Sequence, residues 1–157
     1  MYFVRDISSM RYVPSGRDKG IYIISQPNEV RISQKEEQTM NDKTIKELAV
    51  ELTVETTAIC DNIKGRAVFV NQLLRSCSSI GANSHEAKYA QSRADFIHKL
   101  EIALKECYET EYWLEILYKV NSLQEDVYNE LNNKSGTLRR KLIASITTAK
   151  KNQSKGD

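Results

Sequence analysis

Residues 92–119 read SRADFIHKLEIALKECYETEYWLEILYK, and this stretch decides the fold of the chain. Apolar or small residues return in it at alternating spacings of four and three, namely Phe96, Leu100, Ala103, Cys107, Thr110, Leu114 and Leu117. Because an α-helix completes one turn in 3.6 residues, these residues share one face. Ser92, with Asp95 three positions later, is typical of a capped helix start. The stretch therefore predicts a long amphipathic helix that ends at Asn121.

Comparable stripes lie on both sides of this segment. One covers about residues 42–63 and another about residues 66–89, and Gly65 between them is a stop signal. A fourth helix is expected to start at Ser122, with an acidic capping partner three residues later. Small residues in the middle of the second stripe, including Gly81, would let a neighbouring helix approach closely.

Four such stripes joined by short connections predict an all-α fold, an antiparallel up-down-up-down four-helix bundle over residues 40–150. The fourth stripe weakens at residues 132–136, where we expect a kink or a break. Residues 1–39 hold both prolines of the chain and are predicted to be an irregular N-terminal extension, disordered or weakly structured. Residues 151–157 are predicted to be a polar basic tail.

The apolar runs of the chain are too short for a transmembrane helix. Purely apolar runs such as residues 21–24 and 67–70 are four residues long, whereas a span needs about 20. The amino terminus has no apolar segment of the kind found in secretory signals. We therefore expect a cytoplasmic protein with no membrane partner.

The residues that could carry catalysis or hold a metal are few. The three cysteines, Cys60, Cys77 and Cys107, have no metal-ligand spacing. Cys77 and Cys107 fall on apolar helix faces, and buried thiols are favoured over a redox or metal role. The two histidines are His85 and His98, and the single Asp-x-x-His pair, Asp95 with His98, does not make a di-iron site. No phosphate-binding or dinucleotide-binding glycine motif occurs. We expect neither a catalytic residue, a metal nor a cofactor.

Basic residues accumulate at the carboxyl end of the chain. The net charge is only +2, but residues 134–157 contain seven Lys and Arg residues against the single acid Asp157. Lysine and arginine side chains bind nucleic acids by neutralising phosphates. The predicted nucleic-acid-binding residues are Arg66, Arg75, Arg139, Arg140, Lys141, Lys150 and Lys151.

Four aromatic residues cluster in the third helix: Tyr108, Tyr112, Trp113 and Tyr118. Two interpretations stay open for them. They could pack in or beside the core, or they could form a subunit interface, since tyrosine and tryptophan are enriched at interfaces.

Several segments of the second and third helices resemble a known family. They are Gln72-Leu73-Leu74-Arg75-Ser76, Ser79-Ile80-Gly81-Ala82-Asn83, Glu86-Ala87, Asp95-Phe96-Ile97 and Tyr112-Trp113-Leu114. Together they are similar to the four helix bundle protein family, which includes proteins encoded in intervening sequences of bacterial 23S rRNA genes. The resemblance covers about residues 46–150. This chain departs from the family pattern at Cys77 and Ser84, and its residues 1–39 have no counterpart in the family.

The resemblance implies an up-down-up-down bundle that assembles as a homopentamer. A related protein, the accessory variability determinant of diversity-generating retroelements, is a basic pentamer that binds nucleic acid and a reverse transcriptase. This chain is less basic, with 17 Lys and Arg against 16 Asp and Glu from Met40 onward.

Two functions are therefore predicted as alternatives. The first is a non-enzymatic homo-oligomeric scaffold that contacts RNA or DNA, in which a ring would repeat a modest basic patch and raise avidity. The second is a protein–protein adaptor that uses the four aromatic residues and makes no nucleic-acid contact.

Overall fold

The computed structural model describes Thr39, Met40 and residues 42–153. Within these residues the chain forms four long helices, as the stripes predict: α1 (Ile45–Cys60), α2 (Ala67–Ala87), α3 (Arg93–Lys119) and α4 (Glu125–Gln153). The predicted extension over residues 1–39 lies outside the described residues, apart from Thr39. The helix α4 runs three residues past position 150, where the bundle was predicted to end, and the rest of the predicted tail is not described.

Contacts between α2 and α3 show that these helices are antiparallel. Phe69 near the start of α2 stacks on Trp113 near the end of α3. At the other end of the pair, Glu86 of α2 binds Lys99 of α3. The helix α1 packs against α2 and α4, and α3 packs against α2 and α4. The four helices therefore form the predicted bundle, in which α1 and α3 lie diagonally opposite each other.

The apolar stripes meet in one core. Six of the seven stripe residues quoted for α3 are buried, and only Phe96 at its start is partly exposed. Leucines from all four segments fill the space between the helices, including Leu48, Leu73, Leu114 and Leu138, each at most 2% exposed. The large apolar area removed from water here is the main source of stability of the fold.

A layer of hydroxyl and thiol groups crosses the middle of this core. The hydroxyl of Thr110 on α3 donates to the Ser76 hydroxyl on α2 over 3.0 Å. On the other side of α3, the Cys107 sulfur lies 3.3 Å from the Ser135 hydroxyl on α4. These polar groups are buried yet bonded, so they carry no large desolvation penalty.

Two helix starts are fixed by local hydrogen bonds. At α1 the Thr44 hydroxyl accepts from the Glu47 amide, and the Glu47 carboxylate accepts from the Thr44 amide, which is a complete capping box. At α3 the Ser92 hydroxyl accepts from the Asp95 amide as predicted, while the Asp95 carboxylate accepts from the amide of Gln91 rather than Ser92.

The prediction that Ser122 starts the fourth helix is wrong. Asn121 adopts a left-handed conformation with φ 55°, and its amide donates to the Tyr118 carbonyl. The Ser122 amide donates to the Leu117 carbonyl over 2.8 Å. This pair of bonds is a Schellman motif, so Ser122 closes the end of α3. The following helix begins only at Glu125.

The predicted break at residues 132–136 is also wrong, because α4 is helical from end to end. Ser135 and Gly136 in the weak stretch are buried, and so is Thr137 directly after it. The Thr137 hydroxyl donates to the Asn133 carbonyl within the helix, and Ser135 contacts α3 in the polar layer. Small polar residues therefore form a close helix contact here rather than a helix end.

Candidate interaction surfaces

The four aromatic residues of α3 divide into an inner and an outer pair. Trp113 and Tyr118 are half-buried, whereas Tyr108 and Tyr112 are 51% and 54% exposed. Tyr108 and Tyr112 are four residues apart and therefore share the outer face of α3. Trp113 and Tyr118 lie on its two flanks, next to Phe69 and Tyr128.

The inner pair fills the seams on either side of α3. Trp113 stacks on Phe69 of α2 at 6.0 Å between ring centroids, and its indole N–H donates to the Glu109 carboxylate over 3.2 Å. Tyr118 stacks on Tyr128 of α4 at 4.6 Å. The packing alternative therefore describes these two residues. The outer pair presents its rings to solvent, and its role as an interface stays a prediction.

The predicted basic residue Arg75 is held by acids of α3. Its guanidinium forms an ion pair with Glu106 at 3.3 Å and a second, shorter one with Glu109. The hydrogen bond from Arg75 holds the pKa of Glu109 below its usual value, and the indole N–H of Trp113 adds to this effect. Arg75 thus links α2 to α3 at a half-exposed surface.

Two further basic residues of the predicted set also bind acids of α3. Arg139 on α4 donates to Glu111 over 2.9 Å, and its guanidinium lies 5.6 Å from the centre of the Tyr108 ring. Lys150, near the end of α4, pairs with Glu101 at 2.6 Å. The acids of α3 therefore stabilise the bundle's seams, and phosphates would have to compete with them for these cations.

The seven predicted residues do not form one compact patch. Arg66 precedes α2 at one end of the bundle, and Lys151 lies near the opposite end. Arg140 and Lys141 lie partway along α4, and Lys151 follows Arg140 by eleven positions, or about 16 Å of helix. Arg140 donates to the Thr137 hydroxyl of its own helix. Nucleic-acid binding by this set stays a prediction.

What the basic residues of α4 do share is a long helix segment without acids. Glu130 is the last acidic residue of α4, and none occurs from there to Gln153. Arg140, Thr147 and Lys151 are exposed at spacings of seven and four, which places them on one outer face. This face of α4 carries two cations, Arg140 and Lys151, and no acid.

A second apolar surface, on α1, was not predicted from the sequence. Val50 and Val54 are 52% and 61% exposed, and Thr57 and Ala58 continue the same outer face. The signal is present in the sequence, because these residues repeat three or four apart and fall between the members of the buried stripe. It was masked by the stronger pattern of leucines that includes Leu48 and Leu52.

The cysteines lie in the core. Cys60, Cys77 and Cys107 are buried free thiols, as predicted. Burial raises the pKa of Cys60 and of Cys107 to about 11. Such thiols are protonated at neutral pH and are poor nucleophiles.

No group of three or more metal-binding side chains comes together in the residues that the structure describes. His98 is exposed on α3, and His85 makes an edge contact with Tyr89 at 5.3 Å. None of the four described helices carries an apolar stretch of membrane-spanning length.

Residues 41–144 match the family model described as 23S rRNA-intervening sequence protein. This chain belongs to that family. The match spans α1, α2, α3 and the first two-thirds of α4, and it ends before Thr147, Lys150 and Lys151. The resemblance seen in the sequence is thereby confirmed.

A solved structure of a related protein shows the same fold. It is a crystal structure at 1.70 Å resolution of a protein of unknown function from the S23 ribosomal protein family of Bacteroides thetaiotaomicron VPI-5482. The two chains are 42% identical with a TM-score of 0.63, over 66% of this chain and 98% of the other. No curated protein matches this chain significantly.

Proposed function

We propose that this chain is a non-enzymatic scaffold subunit that assembles with copies of itself through the outer faces of α1 and α3. The observation that carries this proposal is the exposure of large apolar side chains on both faces. Val50 and Val54 on α1, and Tyr108 and Tyr112 on α3, are all more than half exposed. Paired apolar residues on an outer helix face are typical of interaction surfaces.

The position of these faces favours a head-to-tail assembly. The helices α1 and α3 are diagonal in the bundle, so their outer faces lie on broadly opposite sides. The two faces also differ in kind, one being aliphatic and the other aromatic. A contact between unlike faces is heterologous, and it closes into a ring or continues as a filament. A closed ring agrees with the homopentamer that the family resemblance implies.

Molar mass from light scattering tests the assembly. The chain has a mass of 18.0 kDa, so a pentamer would measure about 90 kDa. Val54→Lys on α1 and Tyr112→Lys on α3 should each reduce the mass, because a charge cannot be desolvated cheaply in an apolar contact. Ser78→Lys, an equal charge change at an exposed site on α2, is the control and should leave the mass unchanged.

Mixing the two variants tests the head-to-tail geometry. Each variant keeps one intact face, so a mixture of Val54→Lys and Tyr112→Lys chains should form heterodimers with one intact junction. If each variant alone keeps the wild-type mass, the two faces are not the interface. If both disassemble but the mixture stays monomeric, the contact is not between α1 and α3.

A second candidate function, contact with RNA or DNA, is favoured by the acid-free segment of α4. In a ring, the outer face that carries Arg140 and Lys151 would be repeated in every subunit, which would raise avidity without a highly charged monomer. Binding of a mixed-sequence single-stranded RNA probe should weaken with salt. An Arg140→Gln and Lys151→Gln double variant should lower the logarithmic salt slope by about two.

Lys64→Gln, in the loop between α1 and α2, is the matched control for these charge changes. Salt-independent binding, or an equal loss in the Lys64 variant, would refute the α4 contact. The adaptor alternative makes a different prediction. A protein partner that remains bound after nuclease treatment and is lost on Tyr108→Lys substitution, with the self-assembly intact, would favour it.

A further inference from the structure

The helix α1 stops short of the end of the bundle. Glu55 on α1 pairs with Lys134 on α4, and the two helices run in opposite directions. Ile45, the first residue of α1, lies ten residues before Glu55. In the antiparallel α4, the residue at the same level is ten residues after Lys134, which is Ala144. Beyond that level α4 continues to Gln153, over about 13 Å of helix. At this end α1 does not occupy the fourth position beside α4. The described residues just before it, Thr39, Met40 and Asp42, are helical, and Met40 packs against the core.

The capping box of Thr44 explains why α1 does not fill this position. Thr44 has extended backbone angles, so the helix cannot continue through it. The preceding residue, Lys43, turns back along α1 and binds Glu51 at 2.7 Å.

An open groove of about 760 Å³ lies at this end of the bundle. Its walls come from the end of α2 and the loop after it, the start of α3, and the part of α4 beyond Ala144. Phe96 and four alanines supply apolar surface, and Ser145, Thr148 and Asn152 supply hydrogen-bonding groups. The small side chains on the walls would allow another backbone to approach closely.

The charge of the groove is one-sided. Lys88 and Arg93 line it, and no acidic residue does. The acids nearby already have partners: Glu86 binds Lys99, Asp95 accepts from the Gln91 amide, Glu101 binds Lys150, and Glu47 completes the cap of Thr44. Glu47 also exerts an attraction on Lys88 from the first turn of α1. Among the described residues, the lining of the groove therefore carries two cations and no acid, which favours an anionic ligand.

We propose that this groove docks an acidic amphipathic helix from a partner protein. A helix of two to three turns matches the length of α4 beyond Ala144. Its apolar side would contact Phe96 and the alanines, as helices do in apolar grooves, and its carboxylates would meet Lys88 and Arg93. Single-stranded nucleic acid fits less well, because it binds on exposed aromatic rings, and Phe96 is the sole aromatic lining residue and is half-buried.

This surface differs from the outer faces of α1 and α3, so the inference is independent of self-assembly. A fluorescently labelled probe peptide of about 12 residues, helical, with leucines on one side and glutamates on the other, tests it by anisotropy. The same peptide with lysine in place of every glutamate is the probe control. The acidic peptide should bind and the basic one should not.

Two variants and one control locate the binding. Reversing both charges with Lys88→Glu and Arg93→Glu should weaken binding about tenfold or more. Ala144→Trp, at an exposed wall residue, should block the groove sterically and weaken binding without changing charge. Lys64→Glu combined with Arg66→Glu, the same charge change at the opposite end of the bundle, should change affinity less than about twofold.

The proposal is overturned if the acidic peptide does not bind, or if the groove variants and the distant control weaken it equally. It is also overturned if a 12-nucleotide single-stranded RNA displaces the peptide and depends more strongly on Lys88 and Arg93. Molar mass should be unchanged in all of these variants, and a change in mass alone would bear on the assembly and not on the groove.

Discussion

Replacing Gly81 by alanine should stabilise the bundle. Gly81 lies in the middle of α2 where it faces α1, and glycine in a helix interior costs about 1 kcal/mol relative to alanine. A Cβ added there would lie 3.6 Å from the Cβ of Ala49, which is an ordinary van der Waals separation. Since the methyl group fits without displacing α1, the gain in helix propensity should appear as a free energy of unfolding raised by about 1 kcal/mol.

Urea unfolding followed by circular dichroism measures this change. A gain of this size should raise the midpoint temperature by a few degrees in a parallel thermal scan, and all variants must be compared at one protein concentration. Gly65→Ala is the matched control of opposite sign. Gly65 has φ +74° with nothing within 4 Å of an added Cβ, so its backbone alone should make alanine unfavourable by about 1 kcal/mol.

Gly81→Leu separates propensity from packing. Leucine has a good helix propensity, but its side chain must enter the seam against Ala49, and overpacking costs about 1–3 kcal/mol. Gly81→Leu should therefore be less stable than wild type. If Gly81→Ala is instead less stable than wild type, the added methyl group does not fit between α2 and α1 at 3.6 Å from the Ala49 Cβ, and the argument from available space is refuted.

Three further predictions concern a cap, an ion pair and the thiols. Thr44→Ala should lower the free energy of unfolding by about 1 kcal/mol in urea, because α1 loses its capping box, and no loss would show that the cap is dispensable. The hydrogen bond of Arg75 lowers the pKa of Glu109 in the folded state, so the pair stabilises the fold above the unfolded-state pKa and loses this effect as pH falls through the folded-state pKa. The difference in free energy of unfolding between wild type and Arg75→Gln should therefore shrink between about pH 6 and about pH 3. A difference that does not depend on pH would contradict this. With the pKa of Cys60 and of Cys107 raised to about 11, a thiol-specific reagent at about pH 8 should react with the cysteines only after denaturant is added, and fast labelling of the native protein would show that the core opens.

The bundle could be predicted from the sequence because its core repeats. The α3 stripe holds from Leu100 to Leu117, and the helix ends at Lys119, two residues before the predicted end at Asn121. Ser122 misled the prediction because a serine three residues before an acid suits a helix start, whereas a residue in the left-handed conformation before it closes the previous helix. That choice depends on backbone angles, which no local residue pattern specifies fully.

The surfaces were harder to predict because they depend on how helices face one another. Trp113 and Tyr112 are neighbours in sequence, yet one enters the α2–α3 seam and the other points to solvent. The basic residue Arg139 meets Glu111 only because α4 lies beside α3 in one register. An apolar stripe shows which residues of a helix face the core, but it does not show which residue of a neighbouring helix a surface side chain will contact.

The layer of hydroxyls and thiols in the middle of the core fixes the register of the helices, that is, how far each helix is shifted along its neighbour. The apolar side chains on either side of it pack without directional bonds, so sliding α3 along α2 by one turn, about 5.4 Å, would still bring apolar side chains together. The same slip would separate the Thr110 and Ser76 hydroxyls and break the hydrogen bond between them, which is worth about 1 kcal/mol. A bundle that is otherwise held by non-directional apolar packing thus has one preferred helix register, and this register sets the position of every surface on its exterior.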